Sequence, residues 1–126
     1  MDKPPKRILV AEDDRFLRKA AEVTLKRHGF GVLTAADGEE ALRMARAETP
    51  DLILLDLIMP KLQGFEVLRT LKQDPATVGI PVIILSNLGQ PSDVQQAKDG
   101  GAAAYFVKAD LSLQELIKRV EEVLAP

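Results

Sequence analysis

The sequence predicts an α/β domain in which a parallel sheet carries helices on both faces. Two observations lead there. Five short apolar runs, Ile8–Ala11, Val32–Ala35, Leu52–Leu55, Val82–Leu85 and Ala103–Val107, are mostly β-branched residues and Leu, with no in/out alternation. Strands buried on both faces read this way, and parallel sheets require it. Between the runs lie segments of helical periodicity, so five β-α units succeed one another and each crossover is right-handed.

Residues 1–6, with Pro4 and Pro5, read as a flexible lead. After the first strand, Leu17, Ala20, Ala21 and Leu25 fall on one helical stripe. Asp14 reads as the N-cap of that helix, at the end where the macrodipole favours acids. Gly29 is its stop signal. His28, just before it, sits where a charged imidazole is favoured, and no phosphotransfer role is expected of it. The second helix opens on Asp37 with Glu40 three residues later, the spacing of a capping box. Gly100-Gly101 closes the fourth helix. Ser112 with Glu115 opens the last, whose stripe is Leu113, Leu116, Ile117, Val120 and Leu124. Phe16, Phe30 and Phe65 are expected to pack. No repeat, linker or low-complexity stretch interrupts the pattern, so residues 1–126 are expected to form a single domain.

Composition excludes several function classes. The 17 basic and 19 acidic residues are interspersed, and no Lys/Arg stripe suited to a phosphate backbone is present. Direct nucleic-acid binding is therefore not expected. With no cysteine, disulfides and thiolate metal sites are ruled out, which fits a reducing compartment. No apolar run approaches the roughly 18 residues of a membrane span, and the polar start Met-Asp-Lys-Pro-Pro-Lys lacks a signal-peptide core. A cytoplasmic domain is expected.

The informative residues are those at the end of each apolar run. The first run leads into Glu12-Asp13-Asp14, the third into Asp56, the fourth into Ser86 and the fifth into Lys108. In an open parallel sheet these ends share one edge, and ligands bind just outside it. Glu12, Asp13 and Asp56 crowded there would repel one another, and Lys108 offsets only one of their charges. A divalent cation would neutralise the remainder. Hard oxygen donors without His or Cys favour Mg²⁺. A carboxylate nucleophile in such a site can attack phosphorus and form an acyl phosphate, with metal and ammonium stabilising the equatorial oxygens. Ser86 could then bond the arriving phosphoryl group.

Ile8-Leu9-Val10-Ala11-Glu12-Asp13-Asp14, Leu54-Leu55-Asp56-Leu57-Ile58-Met59-Pro60, Val82-Ile83-Ile84-Leu85-Ser86 and Tyr105-Phe106-Val107-Lys108 stand in this order along the chain. From Arg7 to Leu124 the chain resembles the receiver domain of two-component response regulators, including the single-domain chemotaxis type. The resemblance implies a flavodoxin-like (βα)5 three-layer sandwich with strand order 2-1-3-4-5. It implies a phosphohistidine donor on a sensor histidine kinase or phosphotransfer protein. By the same resemblance Asp56 is the phosphoacceptor, Asp13 binds the metal directly and Glu12 mainly through water, and the Ile58 carbonyl is a backbone metal ligand. Ser86 and Lys108 resemble the phosphate-sensing hydroxyl and the active-site lysine, and Tyr105 the aromatic switch. The surface from the fourth helix to the fifth strand and fifth helix would be the output face, toward an output protein or a fused output domain. Such a domain catalyses its own phosphorylation and dephosphorylation, as a monomer or a phosphorylation-dependent homodimer.

Four departures from the pattern matter. Ala109 replaces the usual Pro after the lysine, and a cis bond before a non-proline costs about 2.5–4 kcal/mol, so trans is expected. Asn87 follows Ser86 where a smaller residue is usual. Gln63 precedes Gly64 where Asp is common. Ile58 and Leu88 flank the expected path of an attacking water and cannot orient it, which predicts slow autodephosphorylation. Ala109 and Asn87 also support an alternative, a pseudoreceiver that binds a partner without phosphorylation. An FMN protein is disfavoured because Glu12-Asp13-Asp14 would repel phosphate after the first strand. An Asp-nucleophile phosphatase would need further substrate elements.

Overall fold

The structure is a computed structural model and describes residues 4–125. Its elements are β1 (Arg7–Ala11), α1 (Arg15–Arg27), β2 (Gly31–Ala35), α2 (Gly38–Glu48), β3 (Leu52–Leu55), α3 (Gly64–Gln73), β4 (Val82–Ser86), α4 (Pro91–Asp99), β5 (Ala104–Val107) and α5 (Leu113–Leu124). A single 3₁₀ turn, Lys108–Asp110, joins β5 to α5. The strands are parallel in the order β2-β1-β3-β4-β5, the flavodoxin-like arrangement that was expected.

That order dictates the layers. The chain steps one way from β1 to β2 and the other way from β2 through β3 and β4 to β5. With every crossover right-handed, α1 lies on one face and α2, α3 and α4 on the opposite one. Alternate strand residues serve the two faces. Leu9, Ala11, Ile53, Leu55, Val82 and Ile84 pack with α2, α3 and α4. Ile8, Val10, Leu52, Leu54 and Ile83 pack with Ala21 and Leu25 of α1 and Leu116, Ile117 and Val120 of α5. Both faces are covered, which is why the inner strands are apolar apart from Arg7 at the start of β1 and Ser86 at the end of β4. β2 and β5 are sheet edges and mostly half-buried.

The three expected caps form. Asp14 accepts from the N–H groups of Phe16 and Leu17, Asp37 from Glu40, and Ser112 from Glu115. Glu40 reaches back to the Ala36 N–H at 2.7 Å, one residue before the cap. Gln63 caps α3 by position with no side-chain bond.

One expectation is corrected. Phe16 does not pack: it is 83% exposed, because the first turn of α1 turns this position away from the sheet. Phe30 and Phe65 do pack, one on each side of the sheet. Just before β1, the Lys6 carbonyl accepts from the Gly31 N–H at 2.9 Å and extends the β1–β2 ladder. Residues 1–3 of the expected flexible lead lie outside the described residues. Among the described residues, no helix is long and apolar enough to cross a membrane.

Candidate functional site

Strand order reverses between β1 and β3, and the residues just past these two strands face one crevice. The Glu12 N–H donates to Ala35 O at 3.0 Å, and the Asp56 N–H donates to Ala11 O at 3.0 Å. Each acid is therefore fixed by a ladder bond one residue past its strand. Both are buried, whereas Asp13 is exposed. One carboxylate oxygen from each of Glu12, Asp13 and Asp56 lies within 4.8 Å of the other two.

Lys108 enters from the end of β5. Its Nζ lies 2.5 Å from Glu12 Oε1 and 2.9 Å from Asp56 Oδ2. The Lys108–Ala109 peptide is trans, as expected. The other oxygen of Asp56, Oδ1, accepts from the Ile58 N–H at 3.2 Å. Asp56 is thus held from both sides, and the Ile58 side chain points to solvent.

The electrostatics arise from this crowding. Burial, helped by Asp56, holds the Glu12 carboxyl above the usual glutamate range; bonds from Lys108 and the Asp14 N–H only partly oppose it. Burial alone would lower the Lys108 ammonium, but its bonds to Glu12 and Asp56 outweigh it and push the pKa up. Three carboxylates against one ammonium leave an excess of negative charge beside an exposed edge. The donors are hard oxygens only, which fits a Mg²⁺ ion and not a soft metal.

Ser86 and Tyr105 form a second group, tied through one residue. Ser86 is fully buried at the end of β4, and its Oγ accepts from the Leu88 N–H at 3.3 Å. The Tyr105 hydroxyl donates to the Leu88 carbonyl. Burial first, then Asp93 and Asp56, push the Tyr105 phenol upward, so it stays a donor. Asn87 is exposed, and the Leu88 side chain is half-buried against the core beneath α2–α4.

Some supporting residues were not singled out from the sequence. Arg18 donates from one guanidinium nitrogen to the carbonyls of Glu12 at 2.8 Å and Asp13 at 3.3 Å, tying α1 to the acidic turn. A basic residue one turn into the helix after an acidic strand end was the available signal. Gly64 lets α3 approach the chain just past β3: a Cβ there would stand 2.3 Å from the Asp56 carbonyl oxygen and 2.5 Å from Leu57 Cα. At Gly38 a Cβ would meet the Leu62 carbonyl at 1.9 Å, so α2 abuts the loop beyond Asp56. Lys61 pairs with the Asp37 cap at 3.6 Å. His28 is exposed at the C-terminus of α1, its Nδ1 2.9 Å from the Thr24 carbonyl.

Comparison with known proteins agrees with this geometry. The family model described as response regulator receiver domain matches residues 8–121. The chain is 42% identical over 117 residues to a gliding motility regulatory protein of Myxococcus xanthus, covering 93% of this chain and 15% of that one. It is 38% identical to the DNA-binding dual master transcriptional regulator RpaA of Synechocystis, of which it spans 48%. The chain thus spans about half or less of the length of these relatives. It is 37% identical to the protein PilH of Pseudomonas aeruginosa, covering 94% of this chain and 98% of that protein. Among solved structures, Vibrio cholerae chemotaxis protein CheY4 superposes with a TM-score of 0.88 at 31% identity, over 95% of this chain and 99% of that one.

Proposed function

Because the chain belongs to the response regulator receiver domain family of two-component signalling, we propose that Asp56 accepts a phosphoryl group from the phosphohistidine of a sensor histidine kinase or phosphotransfer protein. The observation that carries this is the setting of Asp56: buried, one oxygen on Lys108, the other on the Ile58 N–H, and within reach of Glu12 and Asp13. An Asp56 oxygen forms the new bond to phosphorus while the bond from phosphorus to the donor imidazole nitrogen breaks. Lys108 then faces the charge that develops on the phosphoryl oxygens.

Glu12, Asp13, Asp56 and the Ile58 carbonyl would hold Mg²⁺. Its chemistry there is to offset the negative charge of acids and phosphoryl group together. Arg18 and Gly64 keep the acidic turn and the Asp56 loop in register.

Readout passes to Ser86 and Tyr105. The Ser86 hydroxyl is the group that would turn from the Leu88 N–H to the phosphoryl oxygens. Leu88 also holds the Tyr105 hydroxyl, so its movement would release Tyr105 and alter the α4–β5–α5 face. That face would meet the output partner, either a separate protein or a fused domain. The domain, residues 1–126, acts in the cytoplasm as a monomer or a phosphorylation-dependent homodimer and does not itself bind nucleic acid. Beyond its own phosphorylation and slow dephosphorylation it catalyses nothing.

The test is incubation with Mg²⁺ and acetyl phosphate, read by intact mass. A gain of one phosphoryl group, absent in Asp56→Asn, supports the proposal. No gain in the wild type would favour a pseudoreceiver that acts only by binding.

A further inference from the structure

Between α1, α5 and the carboxyl ends of β1 and β3 lies a cavity of about 160 Å³. Close-packed interiors hold few voids larger than a water molecule, so this one calls for a physical cause. Where α1 crosses the sheet it presents Ala20 and Ala21, and these small side chains leave unfilled the space facing Leu54 and Leu116. The exposed lining residues Leu17 and Leu113, at 46% and 41%, stand in the first turns of α1 and α5 and mark its mouth. At the other end it reaches Asp56, Glu12 and Lys108.

Size and lining define what fits. A dry apolar cavity of about 150 Å³ accommodates benzene. Glu12 and Asp56 share the single ammonium of Lys108, which disfavours an anion, and the other residues lining the cavity are apolar except Ser112, which favours an uncharged apolar ligand. We propose that this cavity binds a small uncharged apolar molecule, an aromatic ring or short branched alkyl chain of roughly six to ten non-hydrogen atoms. The molecule enters between Leu17 and Leu113 and lies against Leu116. Asp56 and Lys108 line both this cavity and the phosphoryl crevice, so occupancy and phosphorylation bias each other reciprocally. That coupling rests on the proposed function; the binding itself does not.

The test uses the full chain, without Mg²⁺ or phosphodonor, with methyl groups labelled for NMR and benzene or indole as the probe. Saturable shifts at Ala20, Ala21 and Leu116, with nuclear Overhauser contacts from probe protons to the Leu116 methyls, are the expected result. Ala20→Leu fills the cavity and should weaken binding by about tenfold or more. Should that variant fold poorly, the Overhauser contacts in the wild type decide the matter alone. Shifts confined to the exposed Leu17 and Leu113 methyls, no saturation, or unchanged affinity in a folded Ala20→Leu protein would each overturn the proposal. Because phosphoryl acceptance is measured separately, failure here leaves the Asp56 assignment standing.

Discussion

Replacing Lys108 by Met removes the only cation paired with the carboxylates of Glu12 and Asp56 among the described residues and leaves two buried carboxylates facing each other. In the structure the ammonium is 2.5 Å from one and 2.9 Å from the other, with side-chain exposures of 15%, 8% and 6% for Lys108, Glu12 and Asp56. Removing one partner of a buried pair costs about 3–5 kcal/mol, mostly because the remaining charge is stranded. The exposed Asp13 shows that this crevice opens to water on one side, so about 3 kcal/mol is the expected loss at pH 8 without metal. At a urea slope of about 1.5 kcal/mol per molar, the unfolding midpoint should fall by about 2 M. Two further signs belong to the same cause. The loss should shrink as pH falls toward 5, because Glu12, already held high by burial, takes up a proton and relieves the repulsion. Millimolar Mg²⁺ should restore part of the stability if, as proposed, the folded acidic cluster holds it and the unfolded chain does not. The assay is urea unfolding followed by circular dichroism at both pH values, with and without Mg²⁺. A midpoint within about 0.5 M of the wild type at pH 8 would refute the electrostatic reasoning.

Three other outcomes are expected. Gly64→Ala places a methyl 2.3 Å from the Asp56 carbonyl oxygen, so α3 must retreat; stability should fall by about 1–3 kcal/mol, and the rate of phosphorylation by acetyl phosphate by about 100-fold if Asp56 shifts by about 1 Å. Equal rates in variant and wild type would contradict the packing argument. The Asp74 carboxyl is held below the usual range by the Ala76 N–H and Arg46, and that of Asp37 by the Glu40 N–H and Lys61. Their contribution is present above the ordinary aspartate pKa and lost as pH falls through the depressed values, so the double variant Asp37→Asn/Asp74→Asn should lose less stability than the wild type on acidification below about pH 4; parallel curves would dismiss it. Ile58→Asn and Leu88→Asn should each shorten the life of the phosphorylated protein several-fold by giving the attacking water a partner, measured by the decay of intact mass after acetyl phosphate is removed. Unchanged decay in both would remove the slow-autophosphatase reading.

The inner strands were legible because covering both faces of a parallel sheet leaves no polar position in Leu52–Leu55. The same rule serves the edges less well, and β2 and β5 stay half-buried because no neighbour covers their outer side. Glu12, Asp13, Asp56 and Lys108 could be expected together because strand direction alone delivers them to one edge. What lies between them was not legible. The Arg18 contacts, the Leu88 link between Ser86 and Tyr105, and the close approach at Gly64 are side-chain-to-backbone or backbone-to-backbone meetings whose partners depend on loop paths. Phe16 departs from expectation for a related reason: aromatic character suggests burial, but the helix phase at its first turn decides the direction. The cavity beside α1 could not be read either, since a void depends on how two helices settle against the sheet.

Whether Asp56 is the residue that takes a phosphoryl group is the central question, and borohydride trapping addresses it most directly. An aspartyl phosphate is reduced to homoserine, whereas a free carboxylate is untouched. After treatment with acetyl phosphate and Mg²⁺, then borohydride and proteolysis, homoserine should appear at position 56 and not at Asp13, and 2-amino-5-hydroxypentanoic acid, the product a glutamyl phosphate would give, should not appear at Glu12. Homoserine at another position, or none in a folded protein carrying Mg²⁺, would contradict the assignment of Asp56.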